Sequence, residues 1–238
     1  GNGGSALALA APFHGPGPSG SAQVTGIDTC VWKTLVATCG LDRSVRVWNY
    51  RDKTVEVMKY FGEEAYSIAL HPSGLHVVVG FAEKLRYMSL LMDDIRVVKE
   101  LPVKGCREVK FAPGGQLFAA AGGSTVTVYH SYTFEQVATL RAHNGRVRAV
   151  LWQRGGLKLL TAGMDGAAYL WDVATGQRES EYPQHRYNFH AATATPDLSR
   201  ALMVGNEGPI KDFDVALMNF KEDLPCEPGA AAAAAAAP

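Results

Sequence analysis

Apolar and polar residues alternate over short stretches along much of the chain. In Arg146-Val147-Arg148-Ala149-Val150-Leu151 the apolar positions recur with period two, and after Gln153-Arg154-Gly155-Gly156 a second stretch follows, Leu157-Lys158-Leu159-Leu160-Thr161-Ala162. Successive side chains of a pleated strand point to opposite faces, so this pattern predicts two antiparallel strands joined by a turn. A third kind of segment ends in a large side chain: Ser44-Val45-Arg46-Val47-Trp48-Asn49, Lys84-Leu85-Arg86-Tyr87-Met88-Ser89, Thr125-Val126-Thr127-Val128-Tyr129-His130, Ala167-Ala168-Tyr169-Leu170-Trp171-Asp172 and Pro209-Ile210-Lys211-Asp212-Phe213-Asp214. Their anchors, Trp48, Met88, Tyr129, Trp171 and Phe213, are spaced by 40, 41, 42 and 42 residues. The turns at Pro72, Pro113, Arg154 and Pro196 keep step at 41, 41 and 42. Proline pre-sets φ for such turns and glycine supplies left-handed positions.

Two of the anchor segments end in Trp plus a polar residue, Trp48-Asn49 and Trp171-Asp172, which is the WD signature. With several short strands in each period of ~40 residues, the pattern predicts an all-β fold, a WD-repeat β-propeller with about five blades. Helical repeats of similar length would need apolar positions at period 3.6, which these segments lack. The repeats fall near 23–60, 61–101, 102–142, 143–184 and 185–216, between a Gly/Pro-rich segment 1–22 and a tail 217–238 with an alanine tract. Five blades are fewer than the roughly six to eight of single-chain WD propellers, so an incomplete propeller is expected. An open end would expose a sheet edge and an apolar flank.

The fourth repeat holds His143, Thr161, Asp165 and Trp171 at the spacing of a structural hydrogen-bond set. A buried indole N–H needs an acceptor, and hydroxyl and imidazole can relay that bond to a carboxylate; one unpaired member would cost ~1–3 kcal/mol. The first repeat has Thr38, Asp42 and Trp48, with Gly20 at the position of the imidazole. The second and third put Met88 and Tyr129 in place of Trp and are expected to rely on packing. The fifth has His185 and Phe213.

Composition narrows the function. Lys+Arg and Asp+Glu both number 23, and this balance argues against a non-specific polyanion binder, so nucleic acid is not the expected partner. No apolar stretch approaches the roughly 20 residues of a membrane span, and Ala6-Leu7-Ala8-Leu9-Ala10-Ala11 lacks the basic flank of a signal peptide. Cys30, Cys39, Cys106 and Cys226 are scattered without metal-ligand spacing and read as free thiols in a reducing compartment. His185 and His190 have no third ligand nearby, so no metal is expected, and nothing points to a cofactor. His143, Thr161 and Asp165 carry base, hydroxyl and acid, yet at the spacing of a blade network, so no catalysis is expected. Asp93-Asp94 beside Arg96, and Glu63-Glu64, read as solvated or partner-facing carboxylates. The pairs Gly114-Gly115, Gly122-Gly123 and Gly155-Gly156 lack the Lys-Ser/Thr of a phosphate loop. Arg141, Arg146 and Arg148 form a basic cluster, either a solvated rim or a partner-facing patch.

The off-consensus repeats are the most distinctive stretches. Glu63 to Gly74 and Val78 to Arg86, with Asp93-Asp94-Ile95-Arg96, Gly105-Cys106-Arg107-Glu108, Leu117-Phe118-Ala119-Ala120 and the earlier Ala37 to Asn49, resemble the cilia- and flagella-associated protein 57 family, WD-repeat proteins of the axoneme. The resemblance runs from about Val24 to Val215. It implies tandem propellers followed by a long coiled coil, a place along axonemal microtubules, and a part in attaching or regulating inner dynein arms; it brings no catalytic residues. No coiled coil is present in these residues, and the Gly/Pro-rich and alanine-rich ends depart from the family pattern. The expected function is a non-catalytic protein-interaction scaffold of the ciliary or flagellar axoneme, its partners dynein-arm or doublet-microtubule components and its location cytoplasmic. The alternative is a general WD adaptor in a ubiquitin ligase or signalling assembly.

Overall fold

The computed structural model describes His14 and residues 23–183, 187–206, 210–215, 217 and 219–224. Among the described residues all regular elements are strands, arranged as five antiparallel sheets of four. Blade 1 comprises β1 (Val24–Thr29), β2 (Leu35–Gly40), β3 (Ser44–Asn49) and β4 (Thr54–Tyr60). Blade 2 comprises β5 (Ser67–Leu70), β6 (His76–Gly80), β7 (Leu85–Leu90) and β8 (Ile95–Leu101). Blade 3 has β9 (Cys106–Phe111), β10 (Leu117–Gly122), β11 (Thr125–His130) and β12 (Gln136–Arg141). Blade 4 has β13 (Val147–Trp152), β14 (Lys158–Gly163), β15 (Ala167–Asp172) and β16 (Arg178–Pro183). Blade 5 has β17 (Phe189–Ala194), β18 (Arg200–Gly205), β19 (Ile210–Asp214) and β20 (Asn219–Leu224). The fifth sheet thus runs past residue 216, where the sequence pattern ends it, because β20 pairs with β19.

Blades 2, 3 and 4 bury apolar side chains on both faces and blades 1 and 5 on one, which gives four cores for five blades. Ala37, Cys39, Val45 and Val47 of blade 1 meet Ile68, Leu70, Val77, Val79 and Met88 of blade 2. The other face of blade 2, with Val78, Leu85 and Tyr87, meets Val109, Phe118 and Tyr129 of blade 3. Equivalent cores join blade 3 to blade 4 and blade 4 to blade 5. Both parities of β6 are therefore used, so Val77-Val78-Val79 is apolar without alternation. The anchors Met88, Tyr129, Trp171 and Phe213 all pack onto the preceding blade. At every anchor the register between third and fourth strand slips, at Val47/Trp48, Tyr87/Met88, Val128/Tyr129, Leu170/Trp171 and Asp212/Phe213. Such bulges add the twist a blade needs.

The first strands lie side by side in the order β1, β5, β9, β13, β17. Among the described residues no comparable packing joins β17 back to β1, so the propeller is open. Its flanks expose apolar side chains, Ile27 at 60% and Met58 at 45% on blade 1, Leu202 and Ile210 at 38% on blade 5.

The turns between first and second strands stack from blade to blade. Cys30 Sγ donates to Pro72 O, His71 Nε2–H to Gly115 O and Arg154 N–H to Pro196 O. Gly74, Gly115, Gly156 and Leu198 hold the corresponding left-handed position, with φ of 66, 73, 70 and 57°. At Gly115 a Cβ would stand 2.5 Å from His71 Nε2. Gly115→Ala is therefore expected to cost about 2 kcal/mol or more, from the left-handed backbone and the displaced imidazole together. Urea unfolding measures this, and an unchanged midpoint would contradict the stacking account.

Candidate functional site

Blade 4 assembles its four polar side chains into one relay. Trp171 Nε1–H donates to Thr161 Oγ1 at 2.9 Å, Thr161 lies 2.9 Å from His143 Nε2, and His143 Nδ1 lies 3.0 Å from Asp165 Oδ1. Since the threonine oxygen accepts from the indole, its own hydrogen goes to Nε2, which leaves the imidazole proton on Nδ1 facing the carboxylate. Asp165 also accepts from the backbone N–H of Asn144 at 2.8 Å, tying the tight turn to the incoming chain. Burial pushes the Asp165 carboxyl up, but hydrogen bonds and charge attraction from His143 and two backbone N–H groups outweigh it and hold it at about 2.

Blade 1 builds the same relay with His14 as its imidazole. His14 Nδ1 lies 2.8 Å from Asp42 Oδ2 and Nε2 lies 3.0 Å from Thr38 Oγ1, which accepts Trp48 Nε1–H at 2.9 Å. Gly20, the position expected from spacing, lies outside the described residues, and the histidine comes from six residues earlier. Spacing failed here because a chain arriving from outside the repeat can reach the same pocket by another path. Ser44 and Arg46 enlarge the set, both hydrogen-bonding Asp42. Trp48 is half-buried where Trp171 is buried.

Blades 2 and 3 replace the relay with aromatic contacts. Tyr87 packs on Phe111, Phe118 and Phe134, and Phe118 stacks on Tyr129 at 5.5 Å. His71 and His76 join this cluster, and burial lowers the pKa of both.

The first strands line a cavity of about 670 Å³. Thr25, Tyr66, Arg107, Arg148 and His190 line it at intervals of 41, 41, 41 and 42 residues. Four of them occupy register slips, since pairing jumps from Val24 to Gly26, Cys106 to Glu108, Val147 to Ala149 and Phe189 to Ala191. A bulge re-aims the extra side chain, here toward the channel. The Arg107 guanidinium lies 4.3 Å over the Tyr66 ring. Glu108, deeper in the cavity, is pushed up to about 7, chiefly by burial, with Asp28 adding to it and Lys110 and Arg148 opposing.

The remaining candidates disperse. Asp94 pairs with Lys59, Glu63 with Arg86, and Glu64 accepts from Tyr66 Oη. His185 and Cys226 lie outside the described residues, and His190 is exposed. No group of three metal-ligating side chains occurs among the described residues. Of the expected basic cluster, Arg146 and Arg148 reach the channel mouth, whereas Arg141 is exposed on the outer strand β12. Arg107 was missed, although its 41-residue offset from Arg148 was visible.

Four-stranded blades, anchor residues and relays define a WD-repeat protein. The WD domain, G-beta repeat family matches at residues 12–49 and 134–172, the two stretches that hold the relay residues. The chain is similar to cilia- and flagella-associated protein 57 of Mus musculus, 45% identical over 201 residues, which are 84% of this chain and 16% of the mouse protein. It is also similar to two Tetrahymena thermophila proteins. Cilia- and flagella-associated protein 57 A is 43% identical over 68% of this chain and 12% of its own length, and protein 57 C is 32% identical over 77% and 16%. The family resemblance carried by the off-consensus repeats therefore holds, over about one sixth or less of each relative's length.

Asp165 titrates near 2 against its usual 3.8, so its contribution of about 2 kcal/mol is complete above pH 3.8 and is lost as the pH falls through 2. Asp165→Asn should lower stability by that amount at pH 7 and by almost nothing at pH 2; an equal loss at both, measured by denaturant titration, rules the account out. His14→Ala should cost about 2 kcal/mol, and deletion of residues 1–22 should cost at least as much. A protein beginning at Gln23 with undiminished stability would remove His14 from blade 1.

Proposed function

We propose that this chain is a non-catalytic scaffold of the ciliary or flagellar axoneme, holding dynein-arm or doublet-microtubule components by the loops and channel-facing rim of its blades. The observation that carries this is the 45% identity to a cilia- and flagella-associated protein over 201 residues, a span long enough to take in the blades whose sequences depart from the WD consensus. Generic WD repeats would not keep the off-consensus stretches alike, because packing alone tolerates many apolar combinations. The geometry of blade 4 supports a role without catalysis: Thr161 is fully buried and its hydroxyl is occupied by Trp171 and His143, so no substrate can reach it. A rigid frame that presents many loops loses little entropy on binding, which suits a scaffold.

A tagged copy of this chain expressed in ciliated cells should pellet with isolated, demembranated axonemes and be released with extracted dynein-arm or doublet proteins. Recovery only in the cytosolic fraction, bound to ubiquitin-ligase or signalling subunits, would replace this reading with the general adaptor.

A further inference from the structure

We propose that the mouth of the central channel is a binding site for an acidic peptide segment of a partner protein, gripped by Arg107 and Arg148. This rests on the scaffold reading and names the chemistry of one of its partners. Both arginines sit at the bulges of first strands, which turn their side chains into the cavity rather than into an inter-blade core. Neither these two nor Arg146 at the rim makes an ion pair among the described residues, whereas Lys59, Arg86 and Lys110 all do. Arg148 Nε is buried without a hydrogen-bond partner among the described residues, an unsatisfied donor that favours the approach of a carboxylate.

Arg107 is pre-set for the same task. Its guanidinium lies 4.3 Å over the Tyr66 ring and makes no hydrogen bond or ion pair among the described residues, so its N–H groups can meet a carboxylate. Nearby acids are already engaged: Glu63 with Arg86, Glu83 with Lys104, and Glu64 with the Tyr66 hydroxyl. Glu108 lies within the cavity, where burial raises its pKa to about 7, and Arg107, Arg146 and Arg148 outnumber it at the mouth. The cavity adjoins a second hollow of about 360 Å³ that shares Tyr66 and Arg107 and extends to Arg146. Two connected hollows suit an extended chain better than a single small anion. The overall charge of zero favours a peptide over a nucleic acid, whose binding draws on a broad basic surface.

The test is fluorescence anisotropy with a labelled oligoglutamate peptide and the whole chain. Oligoglutamate should bind more tightly than oligoglutamine and weaken as salt rises. Arg107→Gln combined with Arg148→Gln should weaken it about tenfold or more, while Arg141→Gln on the outer strand leaves it unchanged. Glu108→Gln, which removes a carboxylate from the cavity, should tighten binding at pH 8 and supplies an independent arm if the double variant fails to fold. Equal affinity for both peptides, undiminished binding by a folded double variant, no gain in Glu108→Gln, or stronger competition by an oligonucleotide than by oligoglutamate each overturns the site. Wild-type chain that pellets with axonemes yet ignores oligoglutamate overturns this site and leaves the scaffold standing. Peptide binding without axonemal pelleting does the reverse.

Discussion

A four-stranded antiparallel sheet with apolar side chains on both faces must have both covered, and this requirement organises the molecule. Blades 2, 3 and 4 satisfy it by lying between neighbours, and each contributes one parity of its strands to the core before it and the other to the core after it. Removing apolar surface from water at about 25 cal/mol per Å² makes these four cores the dominant stabilising contribution. The anchors acquire their meaning from the same geometry. Met88, Tyr129, Trp171 and Phe213 are the large side chains that each blade presses onto the one before it.

Two solutions to the anchor problem coexist. Where the anchor is Trp, its N–H requires an acceptor, and the buried relay through threonine and histidine to aspartate follows. Where it is Met88 or Tyr129, the polar chain is dispensable and aromatic rings fill the space, with Tyr87, Phe111 and Phe118 in mutual contact. The relay also fixes a turn and an incoming segment, which packing alone does less well. This explains why His14 is held against blade 1 across a sequence separation of 28 residues from Asp42.

Function draws on what the cores leave over. Interior positions are committed to packing and the relay hydroxyls are occupied, so capacity for a partner lies where strands bulge into the channel. Arg107 and Arg148 stand there without an ion pair among the described residues. The open flanks of blades 1 and 5 are apolar by contrast, as expected of faces shaped like the inter-blade cores.

The chain's repeat period, its strand-turn-strand units, its anchors and the blade 4 relay were legible in the amino-acid sequence, because each depends on side-chain alternation or on a turn, both set within a few residues. The outer strands were not marked by anchors: Ile95–Leu101 buries only its two end residues, so no alternation signals it. Only the tertiary structure could identify His14, since a relay accepts an imidazole from any chain path that reaches the pocket. It alone brought Arg107 to Arg148 and separated both from Arg141, because a one-residue bulge decides whether a side chain faces a core or a channel, and that slip is a property of pairing between strands rather than of either strand alone.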